Sequence, residues 1–98
     1  MKVYGSEICG DCREFKALMA QRGFTVDYVD ITESVANLRA FLQLRDQEAV
    51  FAEVKARGGI GIPAFVKDDG EVTLDLNTAL FWIGQAPVEE NEGCEFCK

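Results

Sequence analysis

Two cysteine pairs share one spacing: Cys9-Gly10-Asp11-Cys12 near the start of the chain and Cys94-Glu95-Phe96-Cys97 at its end. They account for all 4 cysteines, and the chain has no histidine. Without imidazole there are no Cys–His dyads, no histidine proton transfer and no histidine metal ligands. What remains is thiolate chemistry. A thiolate attacks disulfides and binds soft metals, so each pair is a candidate redox dithiol or half of a metal site.

The first pair stands where a helix should begin. Phe15, Leu18 and Met19 form one apolar stripe at helical spacing, starting from Asp11 or Cys12 and running to about Arg22. Cys9 is therefore expected at a helix N-terminus, where unpaired N–H groups and the helix dipole favour a thiolate. Cys12, one turn further in, is placed to attack a mixed disulfide formed on Cys9 and release the reduced product. Gly10 leaves the approach to Cys9 open. A zinc site would need further ligands, and the other cysteines lie at the opposite end of the chain, unlike the short spacing of zinc modules. Redox chemistry is the preferred reading of this pair.

Cys94 and Cys97 sit among Glu89, Glu90, Glu92 and Glu95. Acidic neighbours disfavour thiolates, so these thiols are expected to be slow nucleophiles. Three roles stay open for them. They are an internal relay to the Cys9–Cys12 disulfide, a zinc or iron–sulfur site completed with the first pair, or an incidental disulfide at a frayed terminus.

Around these motifs the patterning is that of an α/β domain. Lys2–Tyr4 forms a first strand, and Gly23 stands where a glycine ends the first helix. Thr25–Val29 alternates as a second strand. Thr32 or Ser34 can cap the next helix, with Val35, Leu38, Phe41 and Leu42 on its buried side. The pattern falters at Arg45-Asp46, then Val50, Phe51 and Val54 continue it to Arg57, as one kinked helix or two short ones. Gly58-Gly59 forms a turn. Ile60-Gly61-Ile62-Pro63 leads into a third strand, Ala64–Lys67, and Asp68-Asp69-Gly70 turns it into a fourth, Val72–Leu74. Asn77 or Thr78 can cap a last helix running to Gly84. The order β-α-β-α-β-β-α makes the first strand pair parallel and the last antiparallel, in a four-stranded mixed sheet flanked by helices. Phe15, Leu18, Met19, Phe41, Leu42, Phe51, Phe65, Leu80 and Trp82 are the expected core, and Arg39, Arg45, Lys55 and Arg57 a solvated face.

The chain has 98 residues, 48% of them hydrophobic, enough for one domain with its own core. The expected division is a domain over residues 1–85 and an acidic tail over 86–98. Ten basic against 17 acidic residues give a net charge of −7. That charge is repelled by nucleic acid and by anionic membranes. Met1–Glu7 lacks the apolar stretch of a signal peptide, and no run approaches the roughly 20 apolar residues of a membrane span. A cytoplasmic protein is expected, a setting in which structural disulfides are rare.

A strand, a C-x-x-C at a helix start and a later Ile-Pro opening a hairpin together resemble the glutaredoxins of the thioredoxin superfamily, over about residues 1–84. The resemblance implies a thioredoxin-like fold, a cis Ile62-Pro63 bond, and an Ile62 backbone that pairs with a bound peptide or with glutathione. It implies a thiol–disulfide oxidoreductase serving cell redox homeostasis and electron transport. A monomer is expected, one that requires no cofactor and acts on protein disulfides or on glutathione as co-substrate. In this family Lys commonly stands where Ser6 is, and a Pro-aromatic pair where Gly10-Asp11 is. Thioredoxins place Trp where Ile8 is. Asp11 adds negative charge beside both sulfurs, which predicts a milder Cys9 thiolate and a more reducing couple. Glutathione-binding members also carry Gly-Gly at the last helix start. Here the stretch is Leu74-Asp75-Leu76-Asn77-Thr78, where Asn77 and Thr78 would offer the helix N-terminus to a carboxylate and Asp75 would oppose it.

Overall fold

A computed structural model describes residues 1–88; Cys94 and Cys97, and most of the expected tail, lie outside the described residues. Strand β1 covers Lys2–Gly5, β2 Asp27–Asp30, β3 Ala64–Val66 and β4 Val72–Thr73. Helix α1 covers Gly10–Arg22, α2 Val35–Gln47, α3 Ala52–Ala56 and α4 Leu76–Trp82, with a 3-10 turn at Ala49–Phe51 ahead of α3. The sheet order is β2-β1-β3-β4. β1 runs parallel to β2 and antiparallel to β3, and β3 runs antiparallel to β4. The result is a small α/β domain with a four-stranded mixed sheet.

Alternation along the strands divides the core in two. Val3 pairs with Phe65, and both join Phe15 and Met19 of α1 and Ala79 and Leu80 of α4 on one face. Tyr4 pairs with Ala64, and both meet Phe41 of α2, Phe51 and Val54 on the other. Helices therefore cover both faces. Each fully buried Phe or Leu contributes on the order of 1.5–3 kcal/mol of hydrophobic stabilisation.

Local chemistry explains the element ends. Gly23, at φ 68, closes α1 with N–H groups of Gly23 and Phe24 returning to Ala20 and Met19. Ser34 caps α2 by accepting from the Asn37 N–H at 3.1 Å. Glu48 is extended, at φ −91 and ψ 125, and so separates α2 from the next turn. The break lets the Phe41 and Phe51 rings meet edge to face at 5.9 Å.

Several expectations need correction. The second strand begins at Asp27, not Thr25. Val35, Leu38 and Leu42 are exposed on α2, and Phe41 alone is buried there. Trp82 and Leu18 are half-buried at the margin of the core. The last helix is capped by Asp75, not by Asn77 or Thr78: its carboxylate accepts from the Thr78 N–H at 2.9 Å and the Thr78 hydroxyl at 2.7 Å. A carboxylate is the better match to a helix N-terminus, where N–H groups and dipole both favour negative charge. Residues 86–88 continue along the domain: Arg22 donates to the Ala86 carbonyl at 2.7 Å, and Val88 packs against the α1–α4 cluster.

Candidate functional site

Helix α1 begins at Gly10, with Cys9 as its cap residue in an extended conformation. The Cys12 N–H donates to the Cys9 sulfur at 3.4 Å. The sulfur thus occupies the place a serine hydroxyl or aspartate carboxylate takes at an ordinary helix start. Both cysteines belong to the core on the α2–α3 side, where Cys9 is 3% and Cys12 0% exposed. The Cys9 N–H returns to the Ser6 carbonyl at 3.1 Å. Ser6 is itself buried, its hydroxyl shared with Thr32 at 2.8 Å and receiving the Ile8 N–H at 3.3 Å. Ser6 therefore builds the loop that carries Cys9.

The Ile62-Pro63 peptide is cis, as the resemblance implies. Ile62 packs in the same cluster as Cys9 and Cys12. The preceding backbone is held by a residue expected on the solvated face. Arg45 donates to the Gly59 carbonyl at 2.6 Å and to the Ile60 carbonyl at 2.8 Å. Gly61 completes the bend at φ 98, and a Cβ there would lie 2.7 Å from the Phe51 ring. Only glycine meets both demands.

Pro63 and Asp11 together line a groove of about 620 Å³ that runs between α1 and the start of α4. Glu14, Gln21, Asp75 and Asn77 complete its polar lining over an apolar floor that includes Phe15 and Phe65. Three carboxylates border it, and no Lys or Arg does among the described residues. Asn77 lies at this groove, but its amide is engaged with Val88, donating at 3.1 Å and accepting at 2.9 Å. Thr78 is bound to Asp75. The structure therefore brings Cys9, Cys12 and Ile62 into one cluster, places Pro63 and Asn77 in the lining of the groove, and turns Thr78 toward its cap.

Tyr28 is a neighbour of the cysteines that the sequence reading did not single out. Its hydroxyl is buried with no hydrogen-bond partner. It lies beside the Cys12 sulfur: a Cβ built on Gly5 would be 2.5 Å from the hydroxyl oxygen and 3.0 Å from the sulfur. Burial, then Cys12, then Glu7 and Asp30 push its titration well above the usual phenol range. Lys16 lies over its ring at 4.7 Å and pairs with Glu7 at 2.7 Å. An aromatic in an alternating strand carries no sequence signal for this; only the parallel pairing of β1 with β2 brings it there.

Among the described residues no group of three or more His, Cys, Asp or Glu side chains converges as a metal site. No helix among them is long and apolar enough to cross a membrane.

No protein-family model matches the chain, and no solved structure matches it. Among curated proteins, an uncharacterized protein of Haemophilus influenzae is 40% identical over 75 residues, covering 76% of this chain and 87% of that one. That extent of identity places the chain in a family: it belongs with the uncharacterized Haemophilus influenzae protein.

Proposed function

We propose that the protein is a thiol–disulfide oxidoreductase with a thioredoxin-like domain of glutaredoxin type, working through Cys9 and Cys12. The observation that carries this reading is the cap position of Cys9, whose sulfur accepts the Cys12 N–H at the dipole-positive end of α1. The element order and the shared cluster of Ile62 with both cysteines support the fold reading.

In the reaction, the Cys9 thiolate attacks one sulfur of a substrate disulfide. The substrate S–S bond breaks, the departing thiolate takes a proton from water, and a Cys9 mixed disulfide forms. The Cys12 thiolate then attacks the Cys9 sulfur. The mixed bond breaks, the second substrate thiolate leaves, and Cys9–Cys12 is oxidised by two electrons. An external thiol reductant restores the dithiol. Protein disulfides fit the carboxylate-rimmed groove better than anionic glutathione does, because like charges oppose entry.

A dithiol-driven disulfide reductase assay tests the reading. Wild-type protein should turn over, and Cys9→Ser protein should fall to the uncatalysed background. Equal rates would overturn it, as would an anaerobically purified protein that holds stoichiometric zinc or an iron–sulfur chromophore and does not reduce disulfides.

A further inference from the structure

The charged and titratable groups around Tyr28 divide by element: Cys12 and Lys16 on α1, Asp30 on its own strand β2, and Glu7 in the loop after β1. The Tyr28 hydroxyl is a polar group beside Cys12 that the reaction above leaves unused. A Cβ built on Gly5 would lie 2.5 Å from the Tyr28 hydroxyl oxygen and 3.0 Å from the Cys12 sulfur. Oxygen and sulfur therefore crowd one point against the β1 backbone, and any side chain at position 5 would push between them. The hydroxyl is buried and has no hydrogen-bond partner. A buried hydroxyl left unsatisfied costs about 1–3 kcal/mol, so this contact must be matched by a sulfur acceptor or be a standing defect.

The geometry points to Tyr28 as the hydrogen-bond donor that stabilises the Cys12 thiolate for the resolving step, across the gap left by Gly5. For its role in turnover this rests on the redox reading of Cys9 and Cys12; the contact itself does not. The phenol is held neutral by burial and by the surrounding negative charge of Cys12, Glu7 and Asp30, so it donates without taking the thiol proton. That proton leaves to solvent. The Cys12 thiolate then attacks the Cys9 sulfur, the bond from Cys9 to substrate breaks, and the substrate thiolate departs with the electron pair. Burial of Cys12 would otherwise disfavour its charged form. One donor aimed at the sulfur offsets part of that cost at the atom that must become charged.

The test is the titration of Cys12 in full-length reduced protein, followed by the carbon-13 NMR shift of its Cβ, with Cys9 followed in parallel because neighbouring thiols titrate as a pair. Tyr28→Phe keeps the ring and removes the donor. Its Cys12 midpoint should rise by about one pH unit or more, and by more than that of Cys9. In turnover, the Cys9 mixed disulfide with substrate should accumulate, since the first attack is spared and resolution slowed. Site-specific 3,5-difluorotyrosine at position 28, a stronger donor of nearly the same shape, should move the Cys12 midpoint the other way. A midpoint unmoved in both proteins, or moved equally at Cys9 and Cys12, overturns the assignment. A wild-type protein that fails to reduce disulfides while Cys12 still responds to Tyr28 refutes the redox reading and leaves the contact standing.

Discussion

The two helices that border the groove begin in the same register with different atoms. α1 starts on Cys9, whose sulfur accepts the N–H three residues on at 3.4 Å. α4 starts on Asp75, whose carboxylate accepts the equivalent N–H, that of Thr78, at 2.9 Å and the Thr78 hydroxyl at 2.7 Å. Asp75 is an ordinary stabilising cap. Sulfur is a weak acceptor while protonated and a strong one as thiolate, so α1 is held best when Cys9 is charged. One helix start carries a carboxylate cap and the other a sulfur cap. The Asp75 carboxylate also occupies the start of α4, so an anion arriving there would meet a like charge.

Replacing Cys9 with Ser is the sharpest way to tell these two caps apart. Serine is a good cap, so stability by denaturant melt should stay within about 1 kcal/mol of wild type, while disulfide reduction falls to background. A large loss of stability would mean that the sulfur at position 9 serves the core first. The floor between the two helix starts depends on the loop before Pro63. Arg45→Ala should cost about 1–2 kcal/mol, because two backbone carbonyls lose a charged donor. Arg45→Lys should recover only part of it, since one ammonium cannot reproduce the guanidinium fork.

At α4, Asp75→Ala should cost about 1 kcal/mol, whereas Asp75→Asn should stay within about 0.5 kcal/mol because both residues cap well. The Asn variant removes a charge from the groove rim, so reduction of anionic disulfides should speed by a few-fold at low salt and less at high salt. An Asn variant with unchanged preference between anionic and cationic disulfides would show that α4 does not face the substrate. The smallest effect is at Asp30, whose titration is lowered first by the Thr32 hydroxyl and then by the Thr32 N–H. A lowered folded pKa stabilises above the unfolded value, near 3.9, and that contribution is lost as pH falls through the folded pKa. Acid melts of Asp30→Asn should show a shallower decline below about pH 4 than wild type.

Much of this layout was legible from residue types. Gly23 and Ser34 end and begin helices because their conformational and capping chemistry is local. The Val3–Tyr4 and Ala64–Phe65 alternations sort residues onto two faces because a strand repeats every two residues. Other features were not legible. Asp75, Asn77 and Thr78 all satisfy the capping preference, so residue type alone does not choose among them. Arg45 gave no sign of its loop contacts, because long-range donors have no periodicity.

Taken alone, the sequence determined one α/β domain and the start of α1 beside Cys9, because these follow from composition, short-range periodicity and local capping. The tertiary structure decided which groups meet that pair. Parallel pairing of β2 with β1 carries Tyr28 to Cys12, Arg45 bends the Pro63 loop toward the same cluster, and Asp75 turns the opposite helix start acidic. Such contacts join residues distant along the chain, and only the packing of the sheet and its helices specifies them.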